Sequence, residues 1–254
     1  MTGKPLKGWT VSLDLWGTLI DHTDKAAVAN WRITEFGRVF AAFGYDRTAE
    51  QVRAAVTAND QTVLSRQRQL GEQPVLEEML AAILAPLDIP AAGEMLPVLA
   101  VVHTHAALRG CPQPLAGGVA ALAALADTGA RLVLTSNTLA TSPAVHRDLL
   151  DDLGLSRFFD DMLFSGDLGV AKPHPKVFAT IAERAQCPPQ RICHVGDDHR
   201  TDITGALAAG CRAVHYRPAG RTPTGAAVIA DLGQLVDAIT AVSKQPCPTD
   251  SEPT

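Results

Sequence analysis

The residues best suited to chemistry in this sequence are polar side chains that come after short apolar runs. They comprise carboxylates, hydroxyls, an amide and an ammonium group. The candidates are Asp14, Thr18, Ser136, Asn137, Lys172, Asp197, Asp198 and Asp202. A carboxylate can act as a nucleophile, and several carboxylates together can bind a hard cation such as Mg²⁺. A hydroxyl and an ammonium group can bind the oxygens of an anion. The set therefore predicts metal-assisted chemistry on a small anionic compound.

These side chains can meet only if the apolar runs before them are strands of one sheet. Five such runs alternate with segments of helical periodicity. The predicted strands are 9–13, 131–135, 161–165, 191–195 and 212–216, and the predicted helices are 118–127, 143–153, 175–186 and 201–209. Alternation of this kind predicts an α/β fold with a doubly wound, mainly parallel sheet. Ligands bind such sheets at the carboxyl ends of the strands, which is where the candidates fall.

The interval 21–110 interrupts this alternation, because it has helical periodicity and no convincing strand. The aromatic and aliphatic residues Phe36, Val39, Phe40 and Phe43 have helical spacing. Thr48 and Gln51 predict a capping box, and two further helices are expected after Pro74 and over 94–108. The segment 111–118 that follows is rich in Pro and Gly. We expect a core formed by 1–20 and 111–243, a helical cap over 21–110, and a disordered polar tail over 244–254.

The candidates, taken in this order, resemble the four motifs of the haloacid dehalogenase-like (HAD) hydrolases. The resemblance rests on Asp-Leu-Trp-Gly-Thr-Leu from Asp14, on Ser136 and Lys172, and on Gly-Asp-Asp from Gly196. It implies a Rossmann-like core with a helical cap inserted after the first motif. It also implies that Asp14 is the nucleophile, that Ser136 and Lys172 hold the transferring group, and that Mg²⁺ is the cofactor.

Further roles follow from the resemblance or from the positions of the residues. The metal ligands would be Asp14, Asp197 and the backbone carbonyl at Trp16, and Asp198 would be an outer metal contact or a charge at the N-terminus of the next helix. Thr18 would belong to the catalytic set, and Asn137 and Arg32 would contact the substrate. Asp202 would cap the helix that it opens or orient Lys172.

Trp16 departs from the phosphatases of this family, which carry a second Asp at this position. The usual proton donor to the leaving alkoxide is then missing, and such a donor is typically worth about 100-fold to 10,000-fold in rate. Three explanations stay open. The substrate has a good leaving group, another residue such as Asp21, His22 or His199 supplies the proton, or the reaction is a different one.

The expected function is Mg²⁺-dependent hydrolysis of a small phosphorylated metabolite through an aspartyl-phosphate on Asp14. The first alternative is carbon–halogen hydrolysis, because the true haloacid dehalogenases carry an aromatic residue at the Trp16 position and halide leaves without a proton. Those enzymes resemble one another in losing acids from the fourth motif, whereas this chain keeps Asp197, Asp198 and Asp202. The second alternative is a non-catalytic relative that binds a ligand.

Composition narrows the class of partner. The net charge is −5 and no run of Lys or Arg is present, which disfavours nucleic acid and anionic membranes. Five scattered cysteines without a Cys-x-x-Cys pair disfavour a disulfide framework and a zinc site. The N-terminus has no signal-peptide pattern, and no stretch is apolar enough to span a membrane. We expect a cytoplasmic protein, monomeric or homodimeric.

Overall fold

The computed structural model describes residues 4–216 and 225–245. Within these ranges the chain forms a six-stranded parallel sheet and a two-stranded antiparallel sheet. The strands are β1 (Thr10–Leu13), β2 (Ile20–His22), β3 (Pro112–Pro114), β4 (Arg131–Ser136), β5 (Asp161–Phe164), β6 (Ile192–Gly196), β7 (Arg212–Tyr216) and β8 (Ala227–Ile229). The large sheet has the order β5-β4-β1-β6-β7-β8. The predicted α/β class with a mainly parallel sheet is therefore confirmed.

We refer to residues 21–110 as the cap segment and to the remainder as the core. The cap segment contains α1 (Lys25–Ala42), α2 (Ala49–Leu70), α3 (Leu76–Leu84) and α4 (Met95–His105). The helices of the core are α5 (Gly118–Asp127), α6 (Pro143–Asp152), α7 (Ser165–Leu168), α8 (Pro175–Ala185), α9 (Gly205–Ala208) and α10 (Leu235–Ser243). A π-helix covers His199–Thr204 and runs directly into α9, where the sequence predicted one regular helix over 201–209.

Strand β1 is central and lies between β4 and β6. Its four residues are all buried, and Leu13 is in register with Leu134 on one side and Val195 on the other. Strands of this kind, covered on both faces, read as continuous apolar runs, which is why the sequence located five of them to within about one residue. The short edge strand β8 and the helix α10 after it were not predicted.

The connections between the core and the cap segment form the small antiparallel sheet. Ile20 in β2 pairs with Pro114 in β3, and His22 pairs with Pro112. The sequence predicted no strand here. The expected domain boundary at 20/21 falls within β2, and the one at 110/111 falls just before β3. A hydrogen-bonded pair restrains the two chain crossings more than two separate flexible linkers would.

The cap segment has an apolar cluster of its own, distinct from the clusters on the two faces of the large sheet. Its fully buried members are Phe36, Phe40, Val52, Ile83, Leu84 and Leu99. The predicted capping box is confirmed, since Gln51 N donates to Thr48 Oγ1 at 3.2 Å and Thr48 N donates to Gln51 Oε1 at 2.9 Å. The helical spacing predicted that Phe43 would pack in the cap with Phe36 and Phe40, and this is wrong, because α1 ends at Ala42 and Phe43 is 44% exposed.

The polar tail expected over 244–254 lies largely outside the described residues, which end at Gln245. No helix in the described ranges combines the length and the apolarity that a membrane crossing requires.

Candidate active site

Asp14 stands directly after β1, at the carboxyl end of the central strand. Its backbone N–H donates to Val195 O at 2.9 Å, which ties the residue to the end of β6. The residue is 8% exposed, and its side chain has two partners, since Oδ1 accepts from Lys172 Nζ at 2.8 Å and Oδ2 accepts from Thr18 Oγ1 at 3.3 Å. The carboxylate is therefore held in one orientation at the end of the sheet.

Lys172 is almost fully buried and connects two carboxylates. Its Nζ lies 2.8 Å from Asp14 Oδ1 and 2.6 Å from Asp202 Oδ1. Burial alone would lower the pKa of Lys172, but Asp14 and Asp202 raise it above its ordinary value, so the ammonium form persists. The backbone is fixed by Asn137, whose Nδ2 donates to Lys172 O at 2.9 Å and whose Oδ1 accepts from Lys172 N at 2.7 Å.

Three carboxylates converge next to this lysine. Asp14, Asp197 and Asp202 each offer an oxygen, and these oxygens lie within 4.8 Å of one another. Burial raises the pKa of Asp14 to about 7 against the opposing effect of Lys172, and burial with the neighbouring Asp202 raises that of Asp197 to about 6. The pKa of Asp202 is lowered despite its burial, because Lys172 and His194 stabilise its charged form.

The charges in this cluster do not balance. Three carboxylates and one ammonium carry a formal charge of −2, and repulsion among the acids adds to burial in raising the pKa values of Asp14 and Asp197. Hard divalent cations take oxygen ligands, and a charge of +2 would neutralise the excess. The three acids therefore fit a site for Mg²⁺ in both donor type and charge.

Asp198 does not belong to this group of three. Its Oδ1 accepts from the backbone N–H groups of Arg200 and Thr201 at 2.9 and 3.0 Å, and its Oδ2 is paired with Arg68 from α2. These partners keep the pKa of Asp198 below its ordinary value, although burial opposes them. The structure thus brings Asp202 close to Asp14 and Asp197, whereas Asp198 caps the π-helix and contacts the cap segment.

Trp16 is packed between two histidines and its N–H group is used. Nε1 donates to His146 Nε2 at 2.9 Å, and the indole stacks on His22 with the ring centroids 4.4 Å apart. His146 lies 3.0 Å from Ser142 O through Nδ1, and burial lowers its pKa to about 4, so the ring is neutral at pH 7. Neither the indole nor His146 is a proton donor to a ligand in this arrangement.

The other residues proposed to replace the missing acid have different surroundings. Asp21 is paired with Lys25 at 2.8 Å. His22 has its pKa lowered chiefly by burial, and its Nε2 is buried without a hydrogen-bond partner among the described residues. His199 is exposed at the start of the π-helix and does not line the cavity described next. Asp21 and His22 do line that cavity.

A cavity of about 550 Å³ extends from the three acids to the cap segment. Ser136 and Asn137 line it from the end of β4, and Arg32 lines it from α1. Arg32 is paired with Asp60 of α2 through both carboxylate oxygens, so its guanidinium is already engaged. The predicted substrate residues thus share one cavity, although the Asn137 amide is committed to Lys172.

Sequence reasoning missed several residues of this region. Asp60, Gln67 and Arg68 line the cavity from α2 but read as ordinary polar positions on a helix surface. His146 is one turn inside α6 and carries no motif. His194 could have been found, because it is a polar residue in the middle of an apolar strand.

Comparison with known proteins identifies the family. The sequence profile of the haloacid dehalogenase-like hydrolases matches residues 10–210, so the chain belongs to this family of hydrolases. The matched range contains every predicted site residue, and the resemblance stated from the motifs is confirmed.

Among curated relatives, the chain is 29% identical to phosphoglycolate phosphatase of Salmonella typhimurium over 80% of its length and 79% of that protein. It is 32% identical to glyceraldehyde 3-phosphate phosphatase of Methanopyrus kandleri over 46% of its length, and spans about half (49%) of that protein. With phosphoserine phosphatase of Thermus thermophilus it shares 35% identity over 34% of its length and 33% of that protein.

Solved structures agree on the fold. The HAD-hydrolase YfnB from Bacillus subtilis bound to magnesium aligns with a TM-score of 0.62 at 20% identity, over 91% of this chain and 98% of that one. A 2-haloacid dehalogenase from Pseudomonas syringae aligns with a TM-score of 0.66 at 23% identity, over 92% and 98% of the two chains. At these identities the likeness concerns the fold alone.

Proposed function

We propose that this protein is a Mg²⁺-dependent phosphatase that acts on a small phosphorylated metabolite through an aspartyl-phosphate on Asp14. The observation that carries the proposal is the excess of two negative charges among Asp14, Asp197, Asp202 and Lys172. A phosphate ester would be repelled by this cluster unless a divalent cation shared it. The relatives named as phosphatases support the same class of substrate.

Asp14 and Asp197 are the proposed metal ligands, together with the backbone carbonyl of Trp16, and Asp202 is the nearest further acid. When bound there, Mg²⁺ would neutralise the carboxylates and the phosphoryl oxygens. The proposed ion also explains how Asp14 stays ionised at neutral pH, since a nearby positive charge lowers a carboxyl pKa.

The remaining roles fall to the protein's own side chains. Thr18 and Lys172 hold Asp14 so that one carboxylate oxygen can attack phosphorus. The phosphorus–oxygen bond of the ester breaks as the Asp14–phosphorus bond forms, and the leaving oxygen takes the electron pair. Lys172 and Ser136 are the proposed donors to the phosphoryl oxygens. Water then hydrolyses the aspartyl-phosphate and restores the carboxylate.

The surroundings of Trp16 favour a substrate whose leaving group needs no proton. Its indole N–H is bonded to His146, and His146 is neutral. We therefore infer that aryl or acyl phosphates, whose leaving groups are stable anions, are turned over faster than alkyl phosphates. The expected preference is about 100-fold to 10,000-fold in kcat/KM, which is the usual contribution of a general acid.

The first experiment is a phosphate-release assay on a panel of aryl, acyl and alkyl phosphates. Activity should disappear with a chelator and return with Mg²⁺, and Asp14→Asn should lower it at least about 1,000-fold, as loss of a nucleophile does in other enzymes. Full turnover by the Asp14→Asn variant would refute the proposal. Absence of turnover on the whole panel would favour a non-catalytic relative.

The second experiment concerns the missing acid. Trp16→Asp should raise activity on alkyl phosphates. Trp16→Asn introduces a side chain of the same shape as Asp without an acidic proton, and it should give no gain. A gain in both variants would mean that only the removal of the indole matters. A flat dependence of kcat/KM on the leaving group in the wild type would reveal a proton donor elsewhere.

Carbon–halogen hydrolysis is the second candidate, and the indole of Trp16, whose N–H is committed to His146, favours it. Asp14 would displace halide from carbon, and water would hydrolyse the resulting ester. Halide release from 2-haloacids should then be insensitive to a chelator, whereas phosphate release should not be. The excess negative charge makes this candidate the weaker one, because an unneutralised acid cluster repels a haloacid carboxylate.

A further inference from the structure

A chain of side-chain hydrogen bonds lies beneath the candidate active site and crosses three neighbouring strands. Ser12 Oγ on β1 lies 2.8 Å from Thr135 Oγ1 on β4 and 2.8 Å from His194 Nδ1 on β6. His194 Nε2 lies 3.1 Å from Asp202 Oδ1. The four side chains are each at most 2% exposed, and the chain ends at the carboxylate that binds Lys172.

The direction of the contact between His194 and Asp202 follows from the chemistry of the two groups. A carboxylate accepts hydrogen bonds and does not donate them, so Nε2 carries the proton. Burial and the neighbouring Lys172 lower the pKa of His194, which makes its ring the neutral form with a single N–H group. That N–H group is directed at Asp202.

Asp202 depends on few partners for its orientation. Oδ1 accepts from His194 Nε2 and from Lys172 Nζ, and Oδ2 accepts from the backbone N–H of Asp198 at 3.0 Å. Without His194, Oδ1 would have the ammonium group of Lys172 as its remaining partner. The lysine in turn contacts Asp14 through the same ammonium group.

We propose that His194 is a positioning residue, which fixes the carboxylate of Asp202 so that Lys172 is held against Asp14. The alternative is that His194 only fills space in the core. A space-filling role does not require matched partners, yet both ring nitrogens have one. By contrast, His103 is equally buried and has none among the described residues. The kinetic consequence of this inference rests on the proposed function, whereas the structural consequence does not.

The test compares His194→Leu, which removes the N–H donor, with His194→Gln, whose amide can donate to Asp202. His194→Leu should lower kcat about 10-fold to 100-fold, the usual effect of losing a group that orients an active-site side chain. KM should change little, because His194 does not line the cavity. His194→Gln should recover most of kcat.

A second readout follows Lys172 without any turnover. Its buried ammonium group should give a slowly exchanging ¹⁵Nζ resonance in NMR spectra, assigned by its disappearance in Lys172→Met. The resonance should persist in His194→Gln and be lost or shifted in His194→Leu. Ser12→Ala, which removes the hydroxyl behind the ring, should shift it less.

Specific outcomes would overturn the inference. One is a folded His194→Leu variant with the wild-type resonance and kcat. Another is an equal loss of kcat in both variants with an unchanged resonance, which would mean a structural role. If His194→Leu does not fold, the other two variants decide. The inference is also rejected if His194→Gln and Ser12→Ala both keep the wild-type Lys172 resonance and both have an impaired kcat. If the wild type hydrolyses no phosphate, the Lys172 resonance alone tests whether His194 positions Asp202 and Lys172. Failure of the proposed function can therefore be distinguished from failure of this inference.

Discussion

Two groups of buried polar side chains, one in the core and one in the cap segment, differ in their hydrogen bonding. In the core, the buried Asp14, Lys172, Asp202 and His194 are each hydrogen-bonded to at least one other member of the same group. In the cap segment, the described residues offer no hydrogen-bond partner to either ring nitrogen of His103, although it is fully buried. The Nε of the nearby Arg32 is also unpaired among them.

This difference separates polar groups that are placed for function from those that are merely enclosed. An unpaired buried polar group costs about 1–3 kcal/mol, whereas a fully paired network is rigid and holds its members in one geometry. Rigidity is what the proposed nucleophile next to the proposed metal site requires. The cap segment contributes the wall of the cavity, and imperfect pairing there costs stability without misplacing Asp14.

The largest effect on the group Asp14, Lys172, Asp202 and His194 is expected from Lys172→Met, which keeps most of the length of the side chain and removes its charge. Two buried carboxylates then lose their shared partner. Removing one member of a buried ion pair costs about 3–5 kcal/mol, so the unfolding free energy in denaturant should fall by that amount, and turnover should be lost.

Lys176→Met is the matched control, because Lys176 is exposed on α8 four residues further on. It should leave both stability and activity close to those of the wild type. Equal effects of the two substitutions would contradict the idea that the pairing of Lys172 matters.

A smaller effect is expected when the proposed metal site is disturbed from a residue outside the group Asp14, Lys172, Asp202 and His194. Gly17 has φ +76°, and a Cβ there would lie 2.6 Å from Asp197 Oδ2. Gly17→Ala should therefore cost about 1–2 kcal/mol in backbone strain and also move Asp197, which weakens Mg²⁺ binding measured by calorimetry.

Gly44→Ala separates the two contributions. Gly44 has φ +84°, and a methyl group added there would have no described neighbour within 4 Å. This variant should show the strain and an unchanged Mg²⁺ affinity. If both variants bind Mg²⁺ as the wild type does, Asp197 is not a ligand.

The contrast between the two regions also explains what the sequence could predict. Core strands are short apolar runs followed by polar residues, so Asp14, Ser136 and Lys172 could be assigned to one edge of the sheet from the sequence alone. The bounds of β7 and α5 were predicted to the residue. These signals are local, and the parallel sheet converts them directly into proximity.

The remainder depends on contacts between residues far apart in the sequence. Nothing local indicates that Arg68 reaches Asp198, that Trp16 donates to His146, or that Asn137 binds the backbone of Lys172. The short strands β2 and β3 were missed because three residues carry almost no periodicity. Pairing across about 90 residues is decided by the packing of the whole chain.

In the cap segment, removing the unpaired group should stabilise the protein. Burial lowers the pKa of His103 to about 3, with a contribution from Arg32, so the unfolded chain binds a proton that the folded one does not. Stability contributed by the neutral ring is therefore present above the unfolded pKa of about 6.5 and is lost as the pH falls toward 3.

His103→Leu should abolish this acid-dependent loss of unfolding free energy, which amounts to about 2 kcal/mol at pH 5 relative to pH values above 6.5. At pH 8 the gain should be smaller, since only the unpaired nitrogens are relieved. Chemical denaturation of both proteins at the two pH values measures the difference. A constant difference would show that His103 is not buried as a neutral ring.

The smallest effect is expected where the two regions touch. Arg68 of the cap segment pairs with Asp198 of the core, and Arg66, two residues earlier on α2, pairs with Glu72 and Glu78 within the cap segment. Both arginines are partly exposed, so Arg68→Gln and Arg66→Gln should each change the unfolding free energy by less than about 1 kcal/mol.

The two variants should differ in hydrogen exchange at the contact between the regions. Ala171 N donates to Gly71 O at 2.9 Å, next to Lys172, and this amide should exchange faster in Arg68→Gln than in Arg66→Gln. The same pair of variants tests the metal ligands, because Arg68→Gln frees the carboxylate of Asp198. A large gain in Mg²⁺ affinity would make Asp198 a ligand after all, whereas an affinity within a few-fold of wild type leaves Asp14 and Asp197 as the proposed carboxylate ligands.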